Sequence, residues 1–259
     1  MTTIHHINCG TLVVPGYPTV VCHCLLLQHG DQLALVDTGI GLRDVRDPVA
    51  RLGQSLIDMA GFQFHESDTA VRRTKALGLD PRAVRHIVLT HGDPDHAGGL
   101  ADFPNAQVHI SEEEHARIVE GHWRYVSTQF THGPLWKICG RLPELWFGLE
   151  ARPVELQFDS EVVLVPLFGH TLGHCGVAVR QEHRWLLHAG DAYYLRAELT
   201  RDDHPVSLLA AQRADDDALR RTSLEHLRRL LRDHSEEVEI IGYHDLTELP
   251  AQYPLPQRF

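Results

Sequence analysis

The sequence predicts an α+β protein built in layers. Three observations carry that expectation: a front group of short apolar runs, a second group after residue 150, and a long amphipathic stretch near residues 214–233. Strands, then helices, then strands and helices again do not follow the regular alternation of βαβ units. In the front group, Leu12-Val13-Val14, residues 20–27 and residues 32–36 read as strands, with His29-Gly30-Asp31 as a hairpin turn between the last two. Asp37-Thr38-Gly39 ends the third strand. Residues 68–77 read as a helix stopped by Gly78, and Asp80-Pro81 opens another short one. His86-Ile87-Val88-Leu89 reads as a strand, and residues 112–120 as a helix with Ser111 as its cap and an acidic first turn. The second group comprises residues 154–156, 161–165, 176–179 and 184–188, and the last strand is 237–241.

Residues 123–149 differ in character. Trp123, Trp136 and Trp146 lie there with Tyr125, Phe130 and Phe147, interrupted by Gly133-Pro134 and Leu142-Pro143. The stretch reads as a helical or loop-rich insert. The expected organisation is therefore one domain over residues 1–259 with an aromatic-rich insert at about 121–150. The insert suits a wall or lid over a site, ordinary packing, or a homodimer surface.

A hydrophobic share of 43% and a charged share of 23% are those of an ordinary globular chain, and the formal charge of −11 disfavours nucleic acid and anionic membranes as partners. No apolar run approaches the ~20 residues of a membrane helix. The five cysteines are an odd number without regular spacing, which reads as reduced thiols. With a start lacking a basic region before an apolar one, a cytoplasmic location is expected.

The chemistry concentrates in His91-Gly92-Asp93-Pro94-Asp95-His96-Ala97-Gly98-Gly99, directly after a strand. Two imidazoles and two carboxylates released into one tight loop suit a divalent ion, with zinc, iron and manganese all compatible. Three further strands end on a candidate ligand: Gly169-His170, Ala189-Gly190-Asp191 and Tyr243-His244. Each alone reads more readily as a turn, a cap or a surface residue. Together, in this order, they read as one preorganised site on loops at the ends of rigid strands.

That order, from Asp37-Thr38-Gly39 to His244, resembles the metallo-β-lactamase superfamily, whose usual His-x-His-x-Asp-His motif has Asp93 here in place of the second histidine. Asp95-His96-Ala97-Gly98-Gly99, Asp191-Ala192-Tyr193-Tyr194 and His244-Asp245 are similar to N-acyl-homoserine lactonases. The resemblance implies a four-layer αβ/βα sandwich with a dinuclear site at one edge of paired sheets. It implies His91, Asp93 and His170 on one metal, Asp95, His96 and His244 on the second, and Asp191 between them. His174 is then a residue that orients the loop. Two divalent ions are expected, zinc by the resemblance, with Asp93 either shifting preference toward iron or manganese or leaving a single-metal site.

A water between such ions loses its proton near neutral pH, since bound cations lower its pKa from 15.7 to roughly 7, and the hydroxide opens a lactone or related ester. Tyr194 is then placed to stabilise the oxyanion, or packs as an ordinary core tyrosine, and Asp95 to pass a proton to the leaving alkoxide. Other readings are a glyoxalase II-like thioesterase, a mononuclear iron persulfide dioxygenase, and a non-catalytic metal-binding or ligand-sensing protein on the same fold.

Overall fold

A computed structural model describes residues 2–142 and 144–250. In chain order the elements are β1 (Thr3–Leu12), β2 (Val20–His29), β3 (Gln32–Val36), helices α1 (Leu42–Arg46), α2 (Pro48–Leu52) and α3 (Gln54–Ala60), β4 (Phe62–Gln63), α4 (Ala70–Ala76), β5 (Val84–Val88) and α5 (Pro94–Ala97). There follow β6 (Gln107–Ser111), α6 (Glu112–Val119), β7 (Leu135–Cys139), β8 (Glu144–Trp146), β9 (Leu149–Pro153), β10 (Val162–Pro166), β11 (Cys175–Arg180) and β12 (Trp185–His188). The last are α7 (Val206–Arg213), α8 (Asp217–Asp233) and β13 (Val238–Ile241). Two mixed sheets form, in the orders β4-β1-β2-β3-β5-β6-β7 and β13-β12-β11-β10-β9-β8.

Side-chain alternation along the strands explains the layering. In β2, Leu25 and Leu27 enter the core between the sheets, while Cys24 and Leu26 face a second core shared with the front helices and Phe62. In β10, Val162 and Leu164 enter the core between the sheets, while Val163 and Val165 face a third core closed by Leu224, Leu227 and Leu230 of α8. Both sheets are thus apolar on both faces and need a helical cover outside. The result is the expected α+β sandwich of four layers: helices, sheet, sheet, helices. Among the described residues no helix is long and apolar enough to cross a membrane, and all five cysteines are buried and unpaired.

Three departures from the sequence expectations stand out, and the first two share one cause, polar residues taken up inside strands. β1 begins at Thr3, nine residues before the expected start, because His6 is satisfied by His23 at 2.9 Å and Asn8 by the Cys22 amide at 3.1 Å. The strand expected at 154–156 instead runs over β9, where Arg152 is almost fully buried between Glu113 and Glu150. The stretch 123–149, expected to be helical or loop-rich, contributes β7 at the edge of the first sheet and β8 at the edge of the second. Its aromatics pack: Trp146 meets Trp185 edge-on at 5.7 Å and Trp136 lies 5.9 Å from Phe130.

Candidate metal centre

The ligand loops converge because of strand direction. β10 and β12 both run antiparallel to β11, and β13 runs parallel to β12, so β10, β12 and β13 release His170, Asp191 and His244 at one edge of the second sheet. From the first sheet, β5 delivers His91 to the same edge. There Asp93 is the N-cap of the four-residue helix α5, with Pro94 at its first position, where a missing N–H costs nothing. This tight turn brings Asp95 and His96 around to face His91.

All seven sequence-predicted ligand residues meet. His170 Nε2 is 3.3 Å from Asp191 Oδ2, and His96 Nε2 is 3.3 Å from Asp191 Oδ1. His244 Nε2 is 3.4 Å from Asp191 Oδ2 and 3.5 Å from Asp95 Oδ2. Two ligand sets lie within coordination reach: His91, His170 and Asp191, and Asp95, His96 and His244. Asp191 touches both. His91 Nε2, His96 Nε2 and Asp191 Oδ1 are buried with no hydrogen-bond partner, and buried polar atoms ordinarily have one. Inward-facing orphan nitrogens and a carboxylate oxygen fit a divalent cation.

Residues 17–234 match the metallo-β-lactamase superfamily. The chain belongs to that superfamily. It is similar to a probable metallo-hydrolase of Mycobacterium tuberculosis, at 39% identity over 256 residues, 93% of this chain and 80% of the relative. It is 26% identical over 160 residues to an N-acyl homoserine lactonase of Rhizobium johnstonii, covering 60% of this chain and 58% of that one. A solved N-acyl homoserine lactone hydrolase, with N-hexanoyl-L-homoserine at its catalytic metal centre, has the same fold: TM-score 0.72 at 21% identity, covering 94% of this chain and 93% of that one.

Several residues besides the seven candidate ligands hold the loops of the cluster in place. Asp37 adopts a left-handed backbone (φ 56°), uncommon outside glycine, and its carboxylate accepts from His96 Nδ1 at 2.8 Å and from the Thr90 amide and hydroxyl, each at 2.8 Å. That bond leaves His96 Nε2 to face the centre. The ring of Tyr243 stacks on His96 at 3.8 Å, and its hydroxyl donates to the Asp95 carbonyl. Burial, then His170, push His174 down to about 3, so it is neutral. Its Nδ1 donates to the Leu167 carbonyl and its Nε2 accepts the Asp191 amide at 2.9 Å, the loop-orienting role expected for it.

Glu114 joins two ligand loops from within α6. It accepts from the Gly92 amide at 2.7 Å and from the Thr171 hydroxyl at 2.6 Å, and Tyr125 donates to it at 2.8 Å. Burial raises this carboxyl to about 7 against the opposing pull of those bonds. Gly173 permits the arrangement, since a Cβ there would stand 2.1 Å from the Glu114 amide nitrogen.

The largest surprise is Arg124, buried in the site from the aromatic stretch. It grips Asp93 with two parallel bonds, Nε to Oδ1 at 2.6 Å and Nη2 to Oδ2 at 2.7 Å. Nη2 also donates to His170 Nε2 at 2.7 Å, and Nη1 reaches the Arg213 carbonyl at 2.6 Å and Asp215 at 3.4 Å. Burial opposes ionisation of Asp93, but Arg124 outweighs it and holds the carboxyl well below its usual range. An arginine between Trp123 and Tyr125 carries no sequence signal of such a role.

Asp93, Asp95, Asp191 and His244 floor a pocket walled by Leu12, Val20, Leu56, Met59 and Leu209, with Tyr194 and Arg213 also lining it. Tyr194 packs edge-on against His170 at 5.8 Å and His244 at 5.4 Å. Burial, then Asp191, raise its phenol well above the usual value, so at neutral pH it is a hydrogen-bond donor. Its neighbour Tyr193 turns away and bonds Glu248 at 2.9 Å. No aromatic of the 123–149 stretch lines the pocket. Trp123 is 80% exposed, and the wall expected from that stretch comes instead from the first strands, α3 and α7.

Proposed function

We propose that this protein is a metal-dependent hydrolase that opens a lactone or related carboxylic ester bearing an apolar substituent. The observation that carries the reading is the apolar pocket whose floor is the ligand cluster. A substrate seated there presents its one polar group to the centre while its hydrocarbon is buried. Asp95, His96, His244 and Asp191 are the residues proposed to hold a divalent metal, which when bound supplies Lewis acidity and lowers the pKa of water to roughly 7.

The chain's own groups do the rest. Tyr194, a neutral phenol on the pocket floor, donates to the carbonyl oxygen as charge develops on it. Asp95, at the edge of the cluster, takes the remaining proton of the attacking water and passes it to the leaving alkoxide. The lactonases among its relatives favour a lactone, and the pocket walls suit an aliphatic chain. A mononuclear iron oxygenase would employ a 2-His-1-carboxylate set, and His91, His170 and Asp191 form one. The Arg124 guanidinium on His170 Nε2 argues against that use of this set, and oxygen uptake tests the other such set, Asp95, His96 and His244.

The test is metal analysis of the purified protein with a panel of lactones, thioesters and phosphoesters and an oxygen electrode. Expected are bound divalent metal and lactone turnover that improves with acyl-chain length and is lost on chelation. A folded protein without metal after reconstitution sinks the reading, and thioester preference or oxygen uptake replaces the substrate class.

A further inference from the structure

Arg124 and the His91 half of the cluster bear on how many metals the site takes. A guanidinium is always protonated and only donates, so His170 Nε2 must be the acceptor in its 2.7 Å contact with Arg124 Nη2. That lone pair is the one a metal beside His170 would need. Both oxygens of Asp93 are likewise engaged by Arg124. All five N–H groups of the guanidinium are directed at acceptors: Asp93 twice, His170, the Arg213 carbonyl and Asp215. Its side chain is 3% exposed, so it has no solvent position to swing into without breaking all of them.

The other half is built differently. His96 Nε2, like His91 Nε2, has no hydrogen-bond partner, but here no cation faces the imidazoles: His96 Nδ1 is held by Asp37, and His244 Nδ1 by the Val21 carbonyl at 2.9 Å. Each leaves Nε2 aimed at Asp95 and Asp191 with no competing cation. Ligating imidazoles in metal sites are oriented in this way through their second nitrogen.

We infer that Arg124 takes the place of the second metal: the protein binds one divalent ion per chain, at Asp95, His96, His244 and Asp191, and Arg124 is a positioning residue that locks Asp93 and His170 as non-ligands. This rests on the metal-dependent reading above. The substitution of aspartate for the second motif histidine then has a specific consequence. A carboxylate at 93 recruits a fixed organic cation where a histidine would offer a lone pair to a metal.

The experiment is metal stoichiometry by mass spectrometry after stripping, reconstitution with excess Zn²⁺ or Co²⁺, and desalting. Wild type is expected to hold one equivalent, and His170→Ala to keep it while His244→Ala falls below a tenth of an equivalent, with folding checked by circular dichroism. Asp93→His combined with Arg124→Ala is expected to gain a second equivalent and a second Co²⁺ absorption contribution. Two equivalents in wild type, or loss of the single metal in folded His170→Ala, overturns the inference. Two metals with lactone turnover leaves the hydrolase reading standing, whereas no metal in folded wild type removes both. Wild-type stoichiometry decides the matter even where a variant fails to fold.

Discussion

The two halves of the ligand cluster share Asp191 and lie at the same sheet edge, yet they are held by opposite means. Around Asp95, the imidazoles are fixed from behind, by Asp37 on His96 and by the Val21 carbonyl on His244, and their inner nitrogens face only the carboxylates of Asp95 and Asp191. Around Asp93, two of the three candidate ligands, Asp93 and His170, are engaged from the front by the guanidinium of Arg124 while His91 Nε2 stays without a hydrogen-bond partner, and Glu114 ties the Gly92 amide to the Thr171 hydroxyl. Ligand residue types in the right order therefore do not make equivalent sites. What matters is which lone pairs the surrounding protein has already engaged.

The comparison can be broken in graded steps. The largest effect is expected from Tyr194→Phe, which removes a donor standing over both halves: kcat on the preferred lactone should fall about 100- to 1000-fold, with metal content unchanged. Unchanged kcat and KM would reduce Tyr194 to packing. Next is Glu114→Gln, directed at the Asp93 half. Glu114 is raised to about 7 from an ordinary 4.5, so between those values the folded protein keeps a proton the unfolded chain has released. Its contribution to stability is present below the unfolded value and is lost as pH rises through about 7, a change on the order of 3 kcal/mol. Urea unfolding at pH 5 and pH 8 should show this decline in wild type and a flatter profile in the variant. Equal pH dependence in the two proteins would remove Glu114 as its source. The smallest effect is expected from Asp37→Asn, directed at the Asp95 half: metal affinity by chelator competition should weaken roughly 10- to 100-fold, because His96 loses its charged partner. Unaltered affinity would mean that His96 is oriented by the Tyr243 stack instead.

How legible each part was follows from where polarity sits. The interior strands β2, β3, β10, β11 and β12 announce themselves as apolar runs, because both faces of each sheet are covered. The capped helix α6 was legible too, since Ser111 accepts from the Glu114 amide at 3.2 Å. β1 and β9 were obscured by half-buried His6 and by buried Asn8 and Arg152, whose partners lie on other strands or helices. The short helices α1, α2 and α3 carry no long apolar period and were not foreseen.

At the site, the sequence determined the candidate ligands, because four strands each followed at once by a His or Asp candidate form, in this order, a pattern that can be read along the chain although the later three elements carry little alone. It also determined the layered α+β class, which periodicity alone encodes. Only the tertiary structure decided how those ligands are held. Arg124 reaches Asp93 and His170 across 31 and 46 residues, and Asp37 reaches His96 across 59. Hydrogen bonds over such separations leave no spacing pattern in a single chain. They exist only once two sheets have packed and brought the loop ends to one edge.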